Sequence, residues 1–153
     1  MSTDTTQNLL NHDPLKLENQ LCFPLYACAR KVVSMYTPYF KPLGLTYTQY
    51  IVLLVLWEEA PVTVGELGRR LFLDNGTLTP LLKKLEERGL VERKRSREDE
   101  RVVQVFLTEE GRSLRDEAVS IPAKVGGCIR LDPQEAAALY TLLYKMLGSL
   151  GEM

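Results

Sequence analysis

The chain has 153 residues, the length of one ordinary domain, and a net charge of −1. No apolar run reaches about 18 residues and the N-terminus is polar, so the sequence predicts a cytoplasmic protein without a membrane span or a secretion signal. Three cysteines in such a chain favour reduced thiols over a disulfide framework. A single histidine, His12, offers too few ligands for a metal site, and we expect no cofactor.

The first quarter of the chain predicts a flexible tail over residues 1–13 and then one long helix over residues 14–45. Asp13-Pro14 provides a cap and a proline at the first helical position. Beyond it, apolar residues recur at intervals of three and four along two neighbouring stripes, so the helix must pack against its own domain or against a partner. Pro24 is an irregularity, because a proline inside a helix costs on the order of 3 kcal/mol unless the helix bends or restarts there.

Residues 46–108 predict a winged helix-turn-helix, which we call the winged unit. Thr46-Tyr-Thr-Gln49 is a capping box that opens its first helix, and Thr63-Val-Gly-Glu66 is a second capping box. Leu73-Asp-Asn-Gly76 supplies turn residues before a third helix, for which Thr77 is the expected cap. This helix has leucines on one side and a small, hydroxylated and then cationic outer face, as a recognition helix that enters the major groove requires.

A hairpin wing follows the recognition helix. Residues 90–95 and 101–107 read as two strands around the charged turn at 97–100. Residues 69–101 hold ten Lys and Arg against seven Asp and Glu, a local surplus of +3 that leaves −4 elsewhere. We expect DNA to be contacted by the exposed start of the recognition helix and by the wing arginines. The predicted DNA-binding residues are Asn75, Gly76, Thr77, Thr79, Lys83, Arg97 and Arg101.

Residues 109–153 predict C-terminal dimerisation helices. Thr108 caps a helix that ends at Gly126-Gly127, and Asp132-Pro-Gln-Glu135 starts the last one. With the N-terminal helix they present more apolar surface than one small domain can bury, which predicts a two-fold homodimer. Its recognition helices would lie roughly 34 Å apart, one DNA turn, over a pseudo-palindromic operator in double-stranded DNA. The predicted fold class is mainly α with a small β-hairpin, a winged helix-turn-helix with N- and C-terminal dimerisation helices.

Several motifs resemble those of one protein family. The run Asp99-Glu-Arg-Val-Val-Gln-Val-Phe-Leu-Thr-Glu-Glu-Gly111 resembles the wing signature of the MarR family of dimeric transcriptional regulators. Leu17 to Phe23, Thr46 to Tyr50 and Leu73 to Pro80 are similar to the organic hydroperoxide resistance branch of that family. The resemblance covers residues 15–150, nearly the whole chain, and its separate motifs agree in order and spacing.

The resemblance implies a redox sensor. Cys22 matches the peroxidatic cysteine of the branch, and Tyr36 and Tyr47 match the two tyrosines bonded to it. Tyr26, one turn beyond Cys22, is a further candidate, because a phenol hydroxyl can hydrogen-bond the reactive thiolate. In one subgroup of the branch, a cysteine near the position of Cys128 on the other subunit resolves the oxidised sensor as a disulfide. The implied function is a repressor that senses organic hydroperoxides by oxidation of Cys22 and then releases its operator; a mixed disulfide with a cellular thiol is the other open fate of the sulfur.

Other functions compete with this one. A MarR-type repressor released by a small aromatic ligand would leave Cys22 redox-inactive, since many cysteines only pack, and we expect Cys28 to be such a packing residue. A thiol peroxidase or other enzyme is disfavoured because no second catalytic constellation accompanies the cysteine. A winged helix that pairs only with other proteins is disfavoured by Thr79 and Lys83 on the outer face and by the wing arginines. The sequence therefore predicts a regulator and not an enzyme.

Overall fold

The computed structural model describes residues 13–151, so His12 and most of the predicted tail lie outside the described residues. Its helical elements are a short 3-10 helix (Leu17–Asn19), α1 (Cys22–Leu43), α2 (Tyr47–Glu59), α3 (Val64–Leu71), α4 (Asn75–Glu87), α5 (Glu109–Ala118), α6 (Ile121–Gly126) and α7 (Pro133–Ser149). Its strands are β1 (Val62–Thr63), β2 (Val91–Arg95) and β3 (Val103–Leu107). The predicted fold class, mainly α with a small β-hairpin in a winged helix-turn-helix, is confirmed. None of the helices within residues 13–151 holds a stretch long and apolar enough to cross a membrane.

The wing is a three-stranded antiparallel sheet in the order β1-β3-β2. β2 and β3 form the predicted hairpin, with Val91 opposite Leu107. β1 adds an edge strand, in which Val62 lies opposite Val105. Because a strand of two residues is too short to show an alternating pattern, the sequence predicted only the hairpin.

The long N-terminal helix starts later than the sequence predicted. The backbone after Asp13-Pro14 forms a turn and the 3-10 helix, and α1 begins only at Cys22, so the predicted helix start is wrong. Pro24 becomes the third residue of α1, where its nitrogen has no partner to lose within the helix and no bend is needed. α1 ends at Leu43, and Gly44 caps it with left-handed backbone angles, φ 61°.

The remaining helix boundaries mostly follow their caps. The capping boxes at Thr46 and Asp132 are complete, as predicted. The Thr63 hydroxyl accepts the N–H of Glu66, which is one half of the predicted capping box. The single helix expected after Thr108 is instead two helices, α5 and α6, because a short turn interrupts it.

The hydrophobic core lies within the winged unit and the segments beside it. Leu53 of α2, Leu78 of α4 and Val105 of β3 have no exposed surface. The indole Nε1 of Trp57 donates a hydrogen bond of 2.8 Å to the carbonyl of Gly111, which ties α2 to the start of α5. These elements bury each other's apolar faces, so the position of α4 and the wing is determined within one chain.

Candidate DNA interface and cysteine site

The start of the recognition helix α4 is held by its cap. The Asp74 carboxylate accepts hydrogen bonds from the N–H of Thr77 at 2.8 Å and from its hydroxyl at 3.0 Å. These bonds hold the pKa of Asp74 below its ordinary value, so the cap is ionised at neutral pH. Thr77, which the sequence predicted as the cap, therefore donates to the true cap instead. Pro80 is the sixth residue of α4 and offers no N–H to the carbonyl of Gly76.

The outer face of α4 is exposed, as predicted. Asn75, Gly76, Thr79 and Lys83 all lie on it. The hydroxyl of Thr79 donates to the carbonyl of Asn75 at 2.8 Å, which leaves its oxygen free to accept. The Lys83 ammonium lies 3.9 Å from Glu87 in an exposed pair that a phosphate can replace. The small side chains at the start of the helix let its backbone approach base edges. The inner face is buried and consists of Leu78, Leu81, Leu82 and Leu85.

The wing tip presents two arginines. The Arg101 side chain is 91% exposed, and its guanidinium donates two bonds of 3.1 Å to the carboxylate of Asp99. These bonds hold the pKa of Asp99 below its ordinary value, so its carboxylate is ionised at neutral pH and can pair with Arg101. Arg97 is also exposed. An exposed, oriented guanidinium can reach a phosphate or a narrow minor groove.

An ion pair connects the recognition helix to the wing. The Glu86 carboxylate on α4 accepts three bonds from Arg93 on β2, from its N–H at 2.9 Å, its Nε at 3.1 Å and its Nη2 at 2.8 Å. The bonds from Arg93 hold the pKa of Glu86 below its ordinary value. The pair therefore joins α4 to strand β2 of the wing.

The predicted sensor residues do not all meet within one chain. Cys22 is exposed at the start of α1. Tyr36 lies fourteen residues further along the same helix, which at the helical rise is about 21 Å away. Contact between this cysteine and Tyr36 therefore requires a second copy of the chain. Tyr26, one turn from Cys22, is exposed, and the guanidinium of Arg30 lies 5.5 Å from its ring centroid.

The other two cysteines are exposed as well. Cys28, predicted to pack as a small hydrophobe, lies on the surface of α1 in the single chain. Cys128 follows α6, and its thiol donates to the carbonyl of Lys124 at 3.4 Å. Both thiols are thus accessible in an isolated chain.

The two predicted tyrosines are in contact with each other. The ring centroids of Tyr36 and Tyr47 are 5.1 Å apart in an edge-on arrangement. Phe40 and Tyr50 extend the cluster, with centroids 4.8 Å apart, and Trp57 lies 6.4 Å from Tyr50. Burial, with a smaller effect of Tyr36, raises the pKa of Tyr47. Its hydroxyl therefore stays protonated at neutral pH and can donate a hydrogen bond.

The N-terminal helix α1, at its start, and the C-terminal helix α7, which we call the outer helices, expose a large apolar surface. No residue of α7 is buried, and Tyr140 and Leu142 are 63% and 62% exposed. Around the start of α1, Leu21 and Phe23 are exposed in the same way. Exposed apolar surface of this extent is typical of regions that bind another molecule.

Known proteins resemble this chain over nearly its full length. Residues 34–118 match the SarA/Rot family of transcriptional regulators. The organic hydroperoxide resistance transcriptional regulator of Bacillus subtilis is 47% identical over 138 residues, which are 90% of this chain and 94% of that protein. The chain belongs to the organic hydroperoxide resistance branch of the MarR family.

Solved structures of related regulators share the fold of this MarR-family chain. One is AbfR of Staphylococcus epidermidis. Its reduced form bound to DNA matches this chain with a TM-score of 0.77 at 36% identity, over 95% of this chain and 98% of the AbfR chain. The disulfide form of AbfR has a TM-score of 0.64 at 35% identity, over 95% of this chain and 99% of its own. The TM-score is thus higher for the reduced, DNA-bound form of that relative than for its disulfide form. The chain is a DNA-binding transcriptional regulator and not an enzyme.

The structure adds residues that the sequence analysis of this regulator did not name. Asp74 had a signal, since aspartate is among the strongest N-caps, but Thr77 is also a good cap and would have placed Pro80 in the first turn of the helix, where a proline is tolerated. The pairing of Glu86 with Arg93 had no sequence signal, because a contact between a helix and a strand follows no periodic spacing. Gly68 of α3 lets the helix-turn-helix close, since an added Cβ would lie 2.8 Å from the carbonyl oxygen of Leu73.

Proposed function

We propose that this regulator is a homodimeric transcriptional repressor that senses organic hydroperoxides by oxidation of Cys22 and then releases its operator. The observation that carries the proposal is the contact between Tyr36 and Tyr47, the two residues that the resemblance assigns to the sensor. Further support comes from the Bacillus subtilis relative, a regulator of organic hydroperoxide resistance, and from AbfR, which has a disulfide form.

The exposed outer helices support the homodimer. The α7 helix has no buried residue in the single chain, and Leu139 and Leu142 are 46% and 62% exposed. Since full burial of a leucine contributes about 2 kcal/mol, covering α7 and the start of α1 by a second copy is strongly favourable. A two-fold axis through these helices leaves two winged units roughly 34 Å apart for the two halves of an operator.

In this dimer the sensor is shared between subunits. The distance of about 21 Å between Cys22 and Tyr36 along α1 excludes contact within one chain. We assign Cys22 to contact Tyr36 and Tyr47 of the partner subunit, whose phenol hydroxyls can donate to the thiolate. Tyr26, one turn from the cysteine, adds an aromatic wall. Aromatic surroundings favour organic hydroperoxides over hydrogen peroxide, because the organic group of the substrate is apolar.

Oxidation begins when the Cys22 thiolate attacks the O–O bond of the hydroperoxide. One oxygen joins the sulfur as a sulfenic acid, and the other leaves as an alkoxide that takes up a proton to give the alcohol, so the sulfur loses two electrons to the peroxide. The thiol of Cys128 of the partner subunit then attacks the sulfenic sulfur, forms a disulfide and releases water. The new bond moves α1 and changes the spacing of the two recognition helices on the operator.

The DNA contacts are assigned to the exposed face of α4 and to the wing. The start of α4 is proposed to enter the major groove, where small and amide-bearing side chains can approach base edges. The ammonium of Lys83 and the wing guanidiniums are proposed to bind phosphates or the minor groove. The proposed contact residues are Asn75, Gly76, Thr77, Thr79, Lys83, Arg97 and Arg101.

The first test is intact mass and non-reducing electrophoresis of the reduced protein after one equivalent of cumene hydroperoxide. We expect a covalent dimer from the wild-type protein and no oxidation-dependent product from Cys22→Ser. Cys128→Ser should stop at the sulfenic acid or at a mixed disulfide with an added small thiol. Cys28→Ser is the matched control and should behave as the wild type.

Two outcomes would change the proposal. Covalent dimers from Cys128→Ser would remove the resolving role from that cysteine. An unchanged mass at Cys22 would contradict the sensor and favour the alternative, a MarR-type repressor released by a small aromatic ligand. In that case an aromatic acid, and not the hydroperoxide, should lower the affinity for the operator.

A further inference from the structure

We propose that Arg88 is a positioning residue that holds the recognition helix against the end of the long helix α1. Arg88 is the C-cap of α4. Its Nη2 donates to the carbonyl of Leu43 at 2.8 Å, and its Nη1 donates to the carbonyl of Gly44. Since Leu43 ends α1 and Gly44 caps it, one guanidinium joins the C-terminal ends of both helices.

The contact requires the shape of an arginine. The last carbonyls of a helix have no partners within it and form the negative end of its dipole. Arg88 brings them a positive charge and two donors in a planar fork, which the single ammonium of a lysine cannot reproduce. Among residues 13–151, no other hydrogen bond joins α1 or its caps to α4 or its caps. Arg88 is thus the direct polar connection between the two helices.

Gly44 is suited to the same contact. Its left-handed φ of 61° favours glycine, and an added Cβ would lie 3.1 Å from Nη2 of Arg88. A side chain at this position would strain the backbone, and the guanidinium would have to move by a few tenths of an ångström to accommodate it. The connection can therefore be disturbed from either end, and the change at Gly44 leaves every charge in place.

The connection matters because α1 carries Cys22 at its other end. A displacement of α1 at the cysteine reaches α4 directly through Arg88, which would couple oxidation to the recognition helix. This coupling rests on the proposed function. The positioning role requires only that the chain binds DNA, as its family does.

An exposed arginine at the end of a recognition helix has one obvious other use, a contact with a DNA phosphate. The two uses differ in their chemistry. A phosphate contact needs charge, so lysine serves nearly as well, and losing the charge lowers the slope of log affinity against log salt by about 1. Positioning needs the planar fork, so lysine fails although the charge and the salt slope are kept.

The test is DNA affinity across a salt series for Arg88→Lys and Arg88→Gln. Lys84→Gln, one turn earlier on α4, is the matched control for loss of charge. The probe is the duplex that the reduced wild-type protein selects from a random pool, and a scrambled duplex of the same composition reports non-specific binding. We expect Arg88→Lys to bind the selected duplex about tenfold more weakly, about 1.4 kcal/mol, with the wild-type salt slope and unchanged binding to the scrambled duplex. Arg88→Gln should lose at least as much for the selected duplex.

A second pair of variants repeats the test from the other end. Gly44→Ala should weaken specific binding in the same direction but by less than Arg88→Lys, because the guanidinium has to move only a few tenths of an ångström. Gly151→Ala, at φ 74° with no atom within 4 Å of the added Cβ, controls for backbone strain alone. Wild-type affinity in Arg88→Lys, with or without a lower salt slope in Arg88→Gln, would overturn the positioning role. Failure of the hydroperoxide to release the wild-type protein would instead contradict the proposed sensing function, and the salt series would still decide the role of Arg88.

Discussion

Leu53 of α2 has no exposed surface, whereas Leu142 of α7 is 62% exposed, although both belong to apolar stretches of a helix. The difference lies in their neighbours. α2 contacts α1, α3, α4, α5 and β3, while no residue of α7 is buried in the described chain. Apolar residues therefore have two environments in this regulator: those of the winged unit fold one chain, and those of the outer helices, α1 and α7, are exposed in it and are proposed to pack against a second copy.

The largest effect is expected from substitutions in α7, which should weaken the proposed dimer and leave the winged unit folded. Replacing Leu139 and Leu142 of α7 by glutamate puts two charges where a second copy is proposed to pack. A two-fold dimer loses four leucines, each about half exposed in the single chain and so worth about 1 kcal/mol on association. The total of about 4 kcal/mol should make the dimer dissociate about a thousandfold more readily while the winged unit stays folded. Sedimentation velocity at micromolar concentration and circular dichroism would measure both. Lys145→Glu is the charge control, and a wild-type protein that sediments as a monomer would contradict the proposed dimer.

A core substitution should instead destabilise the winged unit itself. Leu53→Ala leaves a cavity in the winged unit and should lower the free energy of unfolding by about 3 kcal/mol. Its neighbour Leu54 is 42% exposed, so Leu54→Ala should cost less than about 1 kcal/mol. Chemical denaturation of the two variants checks the pair, and equal losses would mean that the face of α2 carrying Leu54 is covered in the dimer.

DNA binding should respond to the winged unit alone. Arg101→Ala removes an oriented guanidinium from the wing and should weaken operator binding about tenfold, with a salt slope lower by about 1. The oligomeric state should not change, because Arg101 is far from the outer helices in sequence and lies on the wing. Glu98→Ala on the same turn is the control variant. An unchanged salt slope in Arg101→Ala would count against a phosphate contact there.

The smallest expected effect concerns the ion pair between α4 and the wing. Because the pKa of Glu86 is held below its ordinary value of 4.5, the pair stabilises the fold fully above that value, and the contribution is lost as pH falls through the lowered pKa. Glu86→Gln should cost about 0.5 kcal/mol at about pH 7, since the pair is partly exposed, and almost nothing at about pH 3. Urea midpoints at both pH values measure this, with Glu87→Gln as the control. A difference from wild type that grows on acidification would contradict the assignment.

The elements that were predicted correctly are those decided by local chemistry. The capping boxes at Thr46 and Asp132 and the strands of the wing depend on residues within one or two turns of each other, so their patterns are visible in the sequence. The errors came where two local signals competed. Asp13-Pro14 has the pattern of a helix start but begins only a turn. Thr77 was the predicted cap of α4, but Asp74 caps that helix.

The sequence by itself determined the winged helix-turn-helix, through its caps and periodicity, and the family, through its motifs. The resemblance to that family in turn indicated which cysteine and tyrosines to consider. Only the tertiary structure decided which of them meet. A rigid helix separates Cys22 from Tyr36 by about 21 Å, whereas the packing of α2 on α1 brings Tyr47 to Tyr36. The same packing brings Arg88 to the end of α1, across 44 residues of chain from Gly44. Contacts between elements distant in sequence depend on how the helices pack against each other, and no local sequence pattern encodes that packing.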